Sequence, residues 1–136
     1  MKLKFIMLFA VLVFASVGIV SSAHAEDDET EKACVPFDFY AGKQEMPAGC
    51  YSIGIDLARQ MISVSDESGK HKIFLIRTSG DEGNGKSLLV FKHWGDVYAL
   101  EELKSDAYNW VFQTWMPVPP IESRNALSHV EVALNR

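Results

Sequence analysis

The chain has 136 residues, a formal net charge of −5, 48% hydrophobic residues and only two cysteines, which fits one domain around one core. No stretch clusters Lys or Arg, so the counterion-displacing surface that nucleic acid requires is missing and nucleic acid is excluded as an expected partner. Without a Cys-x-x-Cys pair, thioredoxin-like, haem-attachment and zinc-ribbon chemistries fall away together.

The N-terminus reads as an export signal. Lys2 and Lys4 precede an uncharged apolar run from Phe5 to Val20, and Ser21-Ser-Ala-His-Ala25 supplies the small residues a signal peptidase reads. Residues 1–25 are therefore expected to be a signal peptide, with no stable membrane span left after cleavage; the run is short for a bilayer. The product is expected in the periplasm or outside the cell. Glu26-Asp-Asp-Glu-Thr-Glu31 opens the remaining chain with dense negative charge. Residues 26–33 read as an acidic, disordered, solvated arm, and 34–136 as a single all-β domain.

That domain opens with Val35-Pro-Phe-Asp-Phe-Tyr40, a turn-rich Ala41 to Gly49, and Cys50-Tyr-Ser-Ile-Gly-Ile55. Val35, Phe37 and Phe39 fall on one side of a pleat, as do Tyr51, Ile53 and Ile55, so two strands offer an apolar face for burial. In a chain that leaves the reducing cytoplasm, Cys34 and Cys50 are expected to be bonded. Closing a loop of about 15 residues is worth on the order of 3 kcal/mol. A plain hairpin turning near Glu45 would set residue 34 opposite residue 56, however, so the bond requires that the arms are not a plain two-stranded hairpin; a small extra reversal at Ala41-Gly-Lys43 is the candidate for realigning them.

Alternating or apolar segments then recur between turns. Met61–Ser65, Lys72–Arg77, Lys86–His93, Val97–Leu103, Asn109–Trp115 and Val130–Leu134 read as strands. Asp66-Glu-Ser-Gly69, Ser79–Gly85 and Trp94-Gly-Asp96 read as the loops between them. Met116-Pro-Val-Pro-Pro120 is an extended crossing or an edge, and Ile121–Ser128 is a candidate short helix. About eight closely spaced strands predict a small antiparallel β-sandwich or barrel.

Val35-Pro-Phe-Asp-Phe39, Met46-Pro-Ala-Gly49 with Tyr51, and later Leu89-Val-Phe91, Trp94-Gly-Asp96 and Tyr98 resemble a family of short secreted bacterial β-proteins of unknown function. Its members carry a VPFDF-like strand, an LPAG-Y turn and an LVF-x-x-(aromatic)-GD-x-Y segment. The resemblance covers residues 33–57 and 86–103 and implies export and an all-β fold, with no catalytic residues to carry over. Cysteines at 34 and 50 and the segment Trp115-Met-Pro-Val-Pro-Pro120 depart from the pattern.

No catalytic, metal-binding or cofactor-binding set is predicted. His71, His93 and His129 each stand alone without metal-ligand spacing. Ser52, Ser63, Ser65 and Ser87 alternate with apolar residues as outward strand positions do, and there is no Gly-x-Ser-x-Gly elbow. The adjacent Glu101 and Glu102 are expected on opposite faces of a strand. Asp38 and Glu101 are a carboxylate pair that the fold could bring together for glycoside hydrolysis, although nothing in their spacing favours it. Asp81-Glu-Gly-Asn-Gly85 lacks calcium-loop spacing and reads as a hairpin loop.

The aromatics are the remaining handle. Trp94, Tyr98, Trp110 and Trp115 are the candidate ligand-binding residues, with most ring area expected in the core and Trp94 and Trp115 best placed for exposure. The sequence thus favours an exported, non-catalytic binding or structural module whose partner is a small molecule, a glycan or an envelope protein. A small secreted hydrolase or metal-dependent enzyme, its site assembled only in three dimensions, is the alternative.

Overall fold

The computed structural model describes residues 30–115, 117 and 127–135. Strand β1 (Thr30–Val35) alternates strictly: Glu31, Ala33 and Val35 are buried, while Thr30, Lys32 and Cys34 are exposed. Residues 30–33 are therefore strand and not arm. The acidic run ends in a pleat whose backbone is paired, with Thr30 opposite Gly54 and Lys32 opposite Ser52. The signal peptide and residues 26–29 of the expected arm lie outside the described residues.

Strand β1 pairs antiparallel with β4 (Gly49–Asp56), and between them β2 (Phe39–Ala41) pairs with β3 (Gln44–Met46). Val35 faces Gly49 and Phe39 faces Met46, so the four strands are one long hairpin interrupted at Pro36 and Pro47. Neither proline can donate to a ladder, and the chain bends where both fall. Across that bend the Ala48 amide donates to Asp38 Oδ1 at 2.8 Å. The reversal is the two-residue turn Gly42-Lys43, with Gly42 at φ 60°, a shape glycine adopts without strain. The turn expected near Glu45 thus sits nearer the N-terminus: the residues expected to make an extra reversal make the hairpin turn itself, and the register moves with it. Cys34 now faces Cys50, and the two form a disulfide with Cα atoms 3.9 Å apart.

The remaining strands are β5 (Met61–Asp66), β6 (Lys72–Glu82), β7 (Leu88–Trp94), β8 (Val97–Lys104), β9 (Tyr108–Phe112) and β10 (Ser128–Ala133). One layer runs β1-β4-β5 and the first half of β6; the other runs from the second half of β6 through β9, β8 and β7 to β10. The hairpin tip crosses to the second layer, where Tyr40 lies parallel to β8 beside Ala99. Ten strands thus make one mixed sheet folded on itself as a small β-sandwich. Among the described residues it is not closed by a ladder: β1 meets the segment after β10 at a single bridge, Lys32 to Asn135, with N–H···O distances of 2.7 and 2.8 Å.

Ten strands appear among the described residues where about eight were expected, because the bend cuts the opening hairpin into four. Strand β6 also runs on to Glu82 through residues expected to be loop. A Cβ on Gly80 would come within 2.2 Å of the Asn109 carbonyl oxygen, so this glycine serves close backbone approach inside a strand rather than a turn. The proline-rich 116–120 and the candidate helix Ile121–Ser128 fall largely outside the described residues; Ser128 itself begins β10.

Inward-facing residues of both layers form one core. Phe39 meets Tyr51 and Phe91 edge-on, at centroid distances of 5.3 and 5.2 Å, an edge-to-face geometry that ring quadrupoles favour. Ile53, Ile62, Leu89, Leu100 and Leu103 fill the space around them.

Candidate functional site

The pleat divides the four candidate aromatics. Trp110 points inward, only 4% exposed, stacked on Tyr108 at 4.7 Å with the Arg77 guanidinium 6.0 Å from its ring. Tyr98 also packs against the core, between Phe37 at 3.8 Å and His93 at 4.3 Å. Neither offers a free ring face. Trp94 is half-buried at the end of β7, in register with Val97 across a turn carrying Gly95 at φ 55°. Trp115 is 52% exposed, edge-on to Tyr40 at 5.5 Å, and its amide donates to the Gly42 carbonyl at 2.7 Å.

Trp94 and Trp115 therefore belong to one surface, the outer face of the second layer. His129, Lys92, Ala99, Tyr40 and Glu45 form a cross-strand row there. Trp94 lies two residues beyond Lys92, on the same side of the pleat. Ala99, between Lys92 and Tyr40 in that row, is only 1% exposed, so the larger side chains around it close over it. Tyr40 was legible as part of this face, since inward Phe39 and Ala41 leave it outward.

Glu101 supplies the charge on this face. Its carboxylate accepts Lys92 at 2.8 Å and contacts His129 Nε2 at 3.0 Å. The expectation that Glu101 and Glu102 point oppositely is corrected by a bulge: Phe91 pairs with Leu100 and Val90 with Glu102, leaving Glu101 as the extra residue. Both acids face outward, Glu102 lying 3.9 Å from Lys104. Asp38 is engaged at the bend of the opening hairpin, so it and Glu101 have separate structural partners.

The other histidines are likewise committed locally. His71 Nδ1 lies 2.8 Å from Asp66 Oδ2 in the β5–β6 turn, and this hydrogen bond is the main reason the Asp66 carboxyl falls to about 2. His93 Nε2 lies 2.6 Å from the Gly95 carbonyl and its Nδ1 3.1 Å from Ser128 Oγ. Because a carbonyl only accepts, the Nε2 atom carries the proton. Among the described residues, no group of three or more His, Cys, Asp or Glu is placed to hold a metal ion.

The first layer carries a second feature that the aromatic pattern did not signal. On its outer face a concavity of about 200 Å³ opens over Gly54 and Ser63, with Asp56 and Arg59 at one side and Lys72 and Phe74 at the other. Outward strand positions normally carry larger side chains, and here the small ones are adjacent across the ladder, Gly54 opposite Ser63.

Among the described residues, no helix is long and apolar enough to cross a membrane. Comparison of the chain with protein-family models, with curated proteins and with solved structures finds no match.

Proposed function

We propose that this protein is an exported, non-catalytic binding module that holds its ligand against the aromatic outer face of the second layer. The observation that carries this reading is Trp115, a half-exposed indole braced edge-on by Tyr40 on the face that also bears Trp94. An indole fixed by a neighbouring ring loses little freedom on binding and presents apolar area to a sugar ring, a hydrophobic metabolite or a loop of an envelope protein. Lys92, Glu101 and His129 beside it supply polar contacts that orient a ligand.

Export is part of the same proposal. A disulfide is at home in an oxidising compartment, and the basic-then-apolar N-terminus ending at Ala25 has the form of a secretory signal. The resemblance to a family of short secreted bacterial β-proteins accords with both. Mass analysis of the exported chain should find Glu26 at its N-terminus.

The test is a screen of glycans and small metabolites read by tryptophan fluorescence, with Trp94→Ala and Trp115→Ala as controls. A ligand of this face changes the emission of the parent protein and loses most of that change in Trp115→Ala. If no ligand alters the spectrum while both variants remain folded, the aromatic face is not the binding surface.

A further inference from the structure

We infer that the concavity on the outer face of the first layer is a second binding site, and that it takes an acidic sugar unit. This site lies on the opposite layer from the aromatic face and stands on different residues.

Gly54 is the starting observation. It sits inside β4 with uninterrupted pairing on both sides, to Thr30 of β1 and Ser63 of β5, so no bulge requires glycine there. Its φ is not among the positive ones, so neither does a turn. A Cβ at this position would lie 2.6 Å from Ser63 Oγ, but a serine hydroxyl can rotate away. Glycine within a strand lowers its stability and otherwise marks close approach of a ligand or another backbone. Here the space above Gly54 and Ser63 is the concavity itself.

Its walls define the chemistry. Phe74 is 55% exposed, an unusual outlay of ring on a sheet face, and offers an apolar platform for the flat side of a pyranose. Lys72 Nζ stands 5.2 Å from the centre of that ring, so a ring and a cation come within reach of one small ligand. Among the described residues Lys72 has no ion pair. Opposite them, Asp56 Oδ1 accepts the Arg59 amide at 2.9 Å and Asp56 Oδ2 lies 3.3 Å from Arg59 Nη1, a fork of donors and acceptors suited to sugar hydroxyls. Lys72 and Arg59 against Asp56 leave a positive excess in a chain whose formal charge is −5, and a local field of opposite sign selects anions. At about 200 Å³ the hollow is below the usual range for a drug-sized ligand, ~300–1,000 Å³, and matches one ring.

The experiment uses the purified protein and three probes: a galacturonic acid oligomer, a neutral cello-oligosaccharide of equal length, and inorganic phosphate. Calorimetry gives affinities, and amide chemical shifts locate the site. The acidic oligomer is expected to shift amides around Gly54, Ser63 and Phe74 and to bind more tightly than the neutral one. Lys72→Gln and Phe74→Ala, both outward-facing and so compatible with folding, should each weaken it by about tenfold, while Trp115→Ala should not. The inference is overturned by equal affinity for the neutral oligomer, by phosphate binding that competes fully and ignores Phe74→Ala, by shifts confined to the other layer, or by no binding of the acidic oligomer.

Discussion

Cys34 stands directly opposite Cys50 at the last pairs of the β1–β4 ladder, immediately before the hairpin bends at Pro36 and Pro47 towards the second layer. The bond pins the point where one hairpin stops serving one layer and begins serving the other. Replacing both cysteines by serine should lower stability by about 3 kcal/mol, the value for a closed loop of this length. Denaturant melts of the parent protein, the double variant and the reduced parent check this: the last two should coincide below the first. Coincidence of all three would mean that the bend holds without the bond.

Two groups give stability opposite pH dependence. The His71 hydrogen bond lowers Asp66 from its ordinary 3.8 to about 2. A depressed carboxyl contributes stability that is present above its unfolded value and lost as pH falls through the folded one. The loss therefore belongs between about pH 4 and pH 2, and Asp66→Asn should flatten the stability profile there. Tyr51 moves the other way: burial raises its phenol above 10.0, aided by Asp66 and Asp38, and its hydroxyl donates to the Pro47 carbonyl. Its contribution is complete below pH 10 and disappears as pH rises through the raised value, a decline that Tyr51→Phe should remove. Stability measured across both ranges checks the two together.

Gly80 and Gly69 separate two uses of glycine. A Cβ on Gly80 meets the Asn109 backbone oxygen at 2.2 Å, whereas one on Gly69 meets nothing within 4 Å and faces only a φ of 70°. Gly80→Ala should therefore force β6 from β9 and cost about 1–3 kcal/mol, as overpacking does. Gly69→Ala should cost about 1 kcal/mol, from backbone strain alone. Chemical denaturation of the two variants settles the order, and equal losses would show that β6 and β9 part easily.

The alternation that reveals strands also revealed which side of each strand is inside. Tyr51, Ile53 and Ile55 are buried as their spacing requires, and so are Trp110 and Phe112. Less legible was where a strand changes layer, because that depends on partners distant in sequence. Pro36 and Pro47 announced a bend only once the Gly42 turn brought them together. Glycines at 80 and 83 carried the usual composition of a loop, and only the neighbouring backbone distinguishes the two cases. For the candidate site the pleat placed Tyr40 outward, but nothing local joins it to Trp115, since that contact follows from the Gly42 carbonyl receiving the Trp115 amide. The bulge that turns Glu101 and Glu102 to one face is likewise a property of the β7–β8 pair, invisible in either strand alone.

Trp110 and Trp115 are chemically the same and structurally opposite, which permits a direct test of the division between core and surface. Trp110 is enclosed among Tyr108, Arg77 and the inner faces of both layers, so Trp110→Ala leaves a cavity and should cost about 3–5 kcal/mol. Among the described residues, the ring contact that Trp115 gives up is its edge contact with Tyr40, and half of the indole is already exposed, so Trp115→Ala should change stability by less than about 1.5 kcal/mol. Urea midpoints measure both. Iodide quenching supplies an independent readout, because a charged quencher reaches a half-exposed indole and not an enclosed one. The quenchable emission should therefore fall in Trp115→Ala. If Trp115→Ala proved as damaging as Trp110→Ala, this ring would be part of the packing that holds the hairpin tip, and the aromatic face would lose its claim as a ligand surface.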